Sequence, residues 1–244
     1  VSSDRLVPNV YARELSSEEV AQGAHREFVG GLWDELGALQ LDFLLRQGLR
    51  PEMKFLDLGC GCLRGGVRFI RHLAPGNYYG IDSNASLLRS ALEIELPRAG
   101  LAGRLPPQNL LLNQDFEAWR FGAAFDMVLA QSVFSHLPRE WLRRCLLELG
   151  RCVRPGGSFF ATYFHCPDDW PEGDPRHDDA HGGTTFWDRD PYHYRERDVE
   201  SAADQGTWQV EHFRAWGHPR GQWMVRFRRR MDGSAGEDPA APAS

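Results

Sequence analysis

The chain of 244 residues, 42% hydrophobic and 25% charged, is long enough for one α/β domain with modest insertions and has the balance of a soluble globule. Its net charge of −6 argues against a partner bound mainly by neutralising phosphates, so nucleic acid is not expected, and no apolar run approaches the roughly 20 residues that cross a bilayer. Five cysteines without CxxC or zinc spacing, and an opening stretch lacking a basic region followed by an apolar core, point to free thiols in a reducing cytoplasm.

Residues 1–16 are polar, include Pro8 and are expected to wrap or fray. Ser16-Ser17-Glu18-Glu19 predicts a helix start, with a serine cap and acids in the first turn. Leu32, Leu36, Leu39 and Phe43 recur at helical spacing and predict a second helix, closed by Gly48 and Pro51. Residues 1–50 thus read as a helical cap on a main domain of residues 51–230, with Trp33 read as a core tryptophan rather than a ligand cover.

The organising stretch is Lys54 to Gly66, KFLDLGCGCLRGG. Phe55-Leu56-Asp57-Leu58 enters Gly59-Cys60-Gly61, and a periodic segment follows with Val67, Phe69, Ile70 and Leu73: a buried strand, a glycine turn and a helix start. Bare backbone lets the chain turn sharply and a ligand approach, and the first N–H groups of the helix face that ligand. Alone, such a turn suits dinucleotide, mononucleotide and S-adenosyl-L-methionine (SAM) sites alike.

Asn77 to Asp82 is the next strand. Asp82, about twenty residues beyond the turn, can accept hydrogen bonds from ribose hydroxyls or cap the helix that Ser83-Asn84 opens. Pro97, Gly100, Gly103 and Pro106-Pro107 mark a long connection to a third strand, Asn109 to Leu112, which ends at Asn113-Gln114-Asp115-Phe116. Ala124 to Ala130 is a fourth strand ending on Gln131-Ser132, Pro138 to Val153 a helix, and Ser158 to Phe164 a fifth strand after the turn Arg154-Pro155-Gly156-Gly157. This alternation predicts a Rossmann-like doubly wound α/β fold with a mostly parallel sheet, whose ligands bind beyond the strands' C-terminal ends. Four of those ends carry polar groups: Asp57 with its glycines, Asp82, Asp115 and Gln131.

His165 to Tyr194 differs in kind, with eight acidic residues, four histidines, five aromatics and little periodicity. An irregular stretch this long, rich in aromatics, is read as a lid. Arg195 to Ala203 predicts a short helix, and Thr207 to Ala215 with Gln222 to Arg230 an antiparallel closing pair. The tail from 231 to 244 is low in complexity and expected to be disordered.

Asp57, Gly59 and Gly61 in the opening motif, Asp82, Asp115-Phe116, FDMVLAQSVFSHLP and VRPGG together resemble the class I SAM-dependent methyltransferases over residues 50–165. The closing strand pair matches that family's reversed last strand. More narrowly, the chain resembles bacterial methyltransferases of small molecules and sugars whose first motif reads GCGCLRGG. The resemblance implies SAM as cofactor, with the Gly59-Cys60-Gly61 backbone along its methionine part and Asp57 nearby. It also implies Asp82 with Ser83 at the ribose, Asp115 and the Phe116 amide at the adenine, and Gln131 and Ser132 in the reaction chamber. Cys62 stands where the family commonly has a third glycine, which leaves the shape of the turn open.

A hydroxyl acceptor needs a general base, for which histidine is suited by its pKa, whereas an amine needs only to be held unprotonated. His165, after the fifth strand, and His193, where the insertion rejoins the fold, are the candidates, each weighed against a structural role. His136 is read as packing or capping its helix, and His177 and His181 as part of a solvated acidic loop rather than a metal site. AQSV lacks the Asn/Asp-Pro-Pro-aromatic pattern that grips a planar nitrogen, and Arg226, Arg228, Arg229 and Arg230 read as a solvated face. The expected acceptor is a hydroxyl or amine of a small polar molecule such as a sugar or natural-product intermediate. The rivals are an NAD(P)-dependent oxidoreductase, weakened by Arg64 where its third glycine belongs, and a SAM-binding module without catalysis. Oligomeric state is not legible.

Overall fold

A computed structural model describes residues 10–231; the expectations for residues 1–9 and 232–244 lie outside the described residues. The first helix, α1 (Ser17–Ala21), opens on a reciprocal cap, Ser16 accepting from the Glu19 amide while the Glu19 carboxylate accepts from the Ser16 amide. Then come α2 (Ala24–Phe28), α3 (Trp33–Arg46), β1 (Phe55–Leu58), α4 (Gly66–His72), β2 (Tyr78–Asp82) and α5 (Ala85–Ser90). A π turn at Ala91–Glu95 leads into α6 (Leu96–Arg98), and β3 (Leu110–Leu112), β4 (Phe125–Ala130) and α7 (Arg139–Leu149) follow. The chain ends in β5 (Val153–His165), β6 (Arg176–Asp178), β7 (Gly183–Thr185), β8 (His193–Tyr194), α8 (Glu196–Ala202), β9 (Trp208–Ala215) and β10 (Gln222–Arg229).

The main sheet runs β3-β2-β1-β4-β5-β10-β9, parallel from β3 to β5 and antiparallel through β10 and β9. Successive strand residues part to opposite faces. Val128, Ala130, Phe159, Ala161, Val225 and Phe227 pack with Leu142, Leu146 and Leu149 of α7 and Val199 of α8. Met127, Leu129, Phe160 and Met224 pack instead with Phe43 and Leu44 of α3, Phe69 and Ile70 of α4 and Leu88 of α5. Two cores on two sheet faces are what a parallel sheet requires, because both of its faces must be covered.

Boundaries differ from expectation where local chemistry outweighs periodicity. α7 ends at Leu149 rather than Val153, because Val153 already pairs with Phe125 as the first residue of β5. The expected turn at Arg154–Gly157 is an irregularity within that strand, where register jumps from Phe125↔Val153 to Met127↔Ser158 and Gly156 takes φ +79°. Pro97, expected to belong to a long connection, is accommodated in the first turn of α6.

The insertion is partly ordered. β6 and β7 form a separate hairpin. β8 pairs with the end of β5, Phe164↔His193 and His165↔Tyr194, where β4 has already stopped at Ala130↔Ala161.

The N-terminal segment is fastened to the α5 side. Asn84 donates to the carbonyls of Tyr11 (3.0 Å) and Arg13 (2.8 Å), Glu14 accepts the amides of Ala85 (3.0 Å) and Ser86 (2.7 Å), and the Leu15 amide donates to the Ser86 hydroxyl (2.9 Å). Glu95, in the π turn, is buried against α2, with His25 Nε2 at 2.7 Å and Arg26 donating through Nε and Nη2 at 2.8 and 2.6 Å. Burial alone would raise the Glu95 pKa; the hydrogen bonds of Arg26 and His25 hold it below the ordinary carboxylate value. Among the described residues no helix is long and apolar enough to cross a membrane.

Candidate functional site

β1, buried along its whole length, delivers the chain into a turn with three left-handed residues: Gly59 (φ +69°), Gly61 (φ +54°) and Leu63 (φ +71°). A Cβ on Gly59 would sit 2.5 Å from Val133 Cγ2, so packing as well as backbone angle demands glycine there. The position after Cys62, not Cys62 itself, takes the third left-handed conformation. Burial pushes the Cys60 thiol well up and the Cys62 thiol to about 12, so both stay protonated and the turn holds no reactive thiolate.

One cavity at the C-terminal ends of the parallel strands is lined by Asp57, Gly59, Cys60, Gly61, Asp82, Ser83, Asp115, Phe116, Gln131 and Ser132. Every residue that sequence reasoning assigned to the cofactor is therefore brought to one wall or another of the same space. Asp82 Oδ2 accepts the Gly61 amide and Oδ1 the Asn84 amide, both at 2.8 Å, tying the end of β2 to the glycine turn. Asn84, not Asp82, caps α5 by accepting from Leu87. Asp57 takes the Tyr78 hydroxyl at 2.8 Å, and burial pushes its pKa up to about 7. Burial raises Asp82 as well, against the backbone amides that favour its charge.

The third strand end is shaped by Asn113, whose Oδ1 accepts the amides of Asp115 (2.9 Å) and Glu117 (3.1 Å). Between them Phe116 is buried at φ +59°, edged by Trp141 and tilted against Phe134. Asp115 pairs with Arg144 at 2.7 Å. At the fourth strand end Ser132 also takes a left-handed φ of +59°. Its amide donates to Thr162 Oγ1 at 2.7 Å and its hydroxyl to Gln222 Oε1 at 3.1 Å. Non-glycine residues in this conformation cost about 1–3 kcal/mol each, and Leu63, Phe116 and Ser132 place that strain at three corners of one site.

Neither candidate base reaches the cavity. His165 ends β5 and His193 opens β8, which pairs beside that end, and neither lines the cavity. His165 stacks on Trp223, with ring centroids 3.5 Å and planes 1° apart. His193 is buried, with Nδ1 2.8 Å from Thr185 Oγ1 and its ring edge-on to Trp187. Burial lowers both to about 4, so each is a neutral imidazole in a structural setting. His177 and His181 lie on the β6–β7 hairpin, with Nδ1 atoms 2.8 Å from Thr184 Oγ1 and 3.1 Å from Asp178 Oδ2 respectively.

The histidine that does line the cavity is His136. Its Nδ1 lies 2.7 Å from Asp190 Oδ1, and the Tyr11 ring meets it edge-on at 4.7 Å. A carboxylate can only accept, so it fixes the proton on Nδ1 and leaves Nε2 with a lone pair. Sequence reasoning gave His136 a packing or capping role and did not single out Asp190 beside it, nor Tyr11, Gln40, Arg64, Trp141 and Arg144 on the cavity walls as site residues. Arg64 alone had a visible signal, a charge inside a turn that is otherwise glycine, cysteine and leucine.

The family model described as a methyltransferase domain matches residues 56–159, the segment that contributes the glycine turn and the next three strand ends. Over residues 56–159 the chain is similar to a methyltransferase domain. Among curated proteins, the trans-aconitate 2-methyltransferase of an Azoarcus species is 32% identical over 51% of this chain and 44% of its own length. The sterol 24-C-methyltransferase of Yarrowia lipolytica is 27% identical over 68% of this chain and 42% of its own. The chain thus spans less than half the length of these curated relatives. Among solved structures, the SAM-bound magnesium protoporphyrin IX methyltransferase of Synechocystis has a TM-score of 0.55 at 13% identity, covering 91% of this chain and 88% of that one. DesVI of Streptomyces venezuelae has a TM-score of 0.56 at 17% identity, covering 88% and 99%. Both share the fold.

The cavity fits SAM on its own terms. Gly59 and Gly61 line the cavity, and the buried acids Asp57 and Asp82 on its wall suit a ligand that is cationic and carries ribose hydroxyls. Because Asp57 titrates at about 7 in the free site, a cationic ligand beside it favours the carboxylate and releases a proton when it binds below that pH. SAM affinity is therefore expected to fall as pH drops below 7, by up to about tenfold per unit. Asp57→Asn should flatten the profile. Titration calorimetry in buffers of different ionisation enthalpy counts the proton directly.

Proposed function

We propose that this methyltransferase domain methylates a hydroxyl of a small polar molecule, such as a sugar or natural-product intermediate, with His136 as general base. The observation that carries the reading is His136 on the cavity wall, with its Nδ1 held 2.7 Å from Asp190 Oδ1 behind it. SAM supplies an activated methyl group on a sulfonium. The protein's own residues hold, shield and deprotonate. Gly59 and Gly61 offer backbone to the aminoacyl side, Asp82 offers its remaining lone pairs to the ribose hydroxyls, and Asp115 with Phe116 bounds the adenine. His136 Nε2 takes the acceptor's proton, and Asp190 stabilises the imidazolium that results. Tyr11 and Val29, from the N-terminal segment, wall the same cavity and exclude water from it.

An amine acceptor would not need this pair, since a free amine carries its lone pair already. The discriminating experiment is incubation with carbon-13 methyl-labelled SAM and fractionated small-molecule extracts, with the labelled product identified by mass spectrometry and its methyl carbon shift. The expected product is an O-methyl ether of a small polar compound. An N-methyl product would overturn both the hydroxyl assignment and the role of His136 as general base.

A further inference from the structure

Arg64 lies within the glycine turn, and its guanidinium is on the cavity wall. Nη1 donates to the carbonyls of Val29 (2.8 Å) and Gly31 (3.0 Å), and Nη2 to Gln131 Oε1 (3.3 Å). All three acceptors are neutral. Among the described residues no carboxylate lies within ion-pairing distance, although the other arginine lining the cavity has one: Arg144 holds Asp115. Burial lowers the Arg64 pKa, the mark of a charge taken out of water without a counter-charge.

The unused donors are arranged in a particular way. A guanidinium has five N–H groups, and those of Nε and the adjacent Nη2 form the side edge that grips a carboxylate with two parallel bonds. Arg26 uses that edge on Glu95, through Nε at 2.8 Å and Nη2 at 2.6 Å. In Arg64 the Nε–H makes no hydrogen bond to a described residue and Nη2 makes one long one, so the same edge is left over. The other edge is fixed by the N-terminal segment. Gln131 is in turn gripped by Gln40, so the guanidinium is held in place before any ligand arrives. The buried carboxyl of Asp57, on the wall of the same cavity, provides the opposite charge.

We infer that Arg64 binds the α-carboxylate of SAM through its Nε–Nη2 edge, with Asp57 serving the α-ammonium, and that this pair makes the site selective for the complete aminoacyl end over decarboxylated analogues. The inference rests on the SAM reading of the site. Without Arg64, a cavity shaped for adenosine and a sulfonium would take decarboxylated SAM as readily, a donor whose transferable group differs.

Calorimetry with S-adenosylhomocysteine, decarboxylated S-adenosylhomocysteine and 5′-methylthioadenosine, which lacks the aminoacyl group altogether, tests it on the full chain without turnover. Wild type is expected to prefer S-adenosylhomocysteine over its decarboxylated form by about 30-fold or more, the worth of a charge-assisted bidentate contact. Arg64→Gln should lose that preference while binding methylthioadenosine within about twofold of wild type, and Arg64→Lys should restore part of it. Equal weakening of all three ligands in Arg64→Gln would make the residue a scaffold of the turn and overturn the inference, as would an undiminished preference in that variant. Wild-type failure to bind any of the three would remove the SAM reading beneath it.

Discussion

Asp82→Ala is expected to weaken SAM and S-adenosylhomocysteine binding by about 100-fold or more while leaving the protein folded. Two losses combine. The carboxylate's lone pairs toward the ribose disappear, and hydrogen bonds to a charged acceptor contribute about 1.5–3 kcal/mol each. The Gly61 amide, which now donates to Oδ2 at 2.8 Å, loses its acceptor, so the glycine turn is no longer tied to the end of β2. Asp82→Asn separates the two effects. It keeps an oxygen for one backbone amide but presents an NH₂ where the other amide points, so it should recover little. Calorimetry measures the affinity and circular dichroism the fold; binding within about fivefold of wild type in Asp82→Ala would remove the carboxylate from the ribose site.

His136→Ala is expected to lower kcat by about 100-fold or more with SAM affinity changed by no more than about twofold, since general-base catalysis contributes a factor of about 10²–10⁴ and the side chain contacts no backbone amide of the turn. Asp190→Asn should cost nearly as much. Its amide would donate to Nδ1 and push the ring proton to Nε2, where a base must have its lone pair. His165→Ala, which removes a ring stacked on Trp223 away from the cavity, should leave kcat near wild type. The decisive measurement is single-turnover methyl transfer to the acceptor found by isotope labelling; a His136→Ala rate equal to wild type would move the base elsewhere.

The gathering of the candidate cofactor residues around one cavity was legible because they sit in short contiguous runs at the ends of strands. Once β1 and its glycine turn are placed, Asp82, Asp115 and Gln131 follow from strand alternation alone, and one cavity gathers them. The acceptor side was not legible, for a physical reason. The base proposed for it, His136 with Asp190, joins residues 54 positions apart that meet only in space, and Tyr11 arrives from a segment whose composition suggested fraying. His165 and His193 were reasonable by topology, since a fifth strand should deliver its end to the ligand face. What sequence pattern does not reveal is that two residues of the insertion pair with the end of that strand as β8, and that neither histidine lines the cavity. The shape of the glycine turn was equally hidden, because nothing in Leu63 itself announces a left-handed conformation held by burial on every side.

Residues 82–86 belong to two structures at once. Asp82 faces the cavity, while Asn84, Ala85 and Ser86 hold the stretch from Tyr11 to Leu15 through the hydrogen bonds that fasten the N-terminal segment. A ligand seated on Asp82 and a segment seated on its neighbours restrain the same few dihedral angles. By reciprocity each raises the free energy needed to release the other by an equal amount. A substitution in the Tyr11–Leu15 stretch is therefore expected to weaken cofactor binding, although only Tyr11 of that stretch lines the cavity.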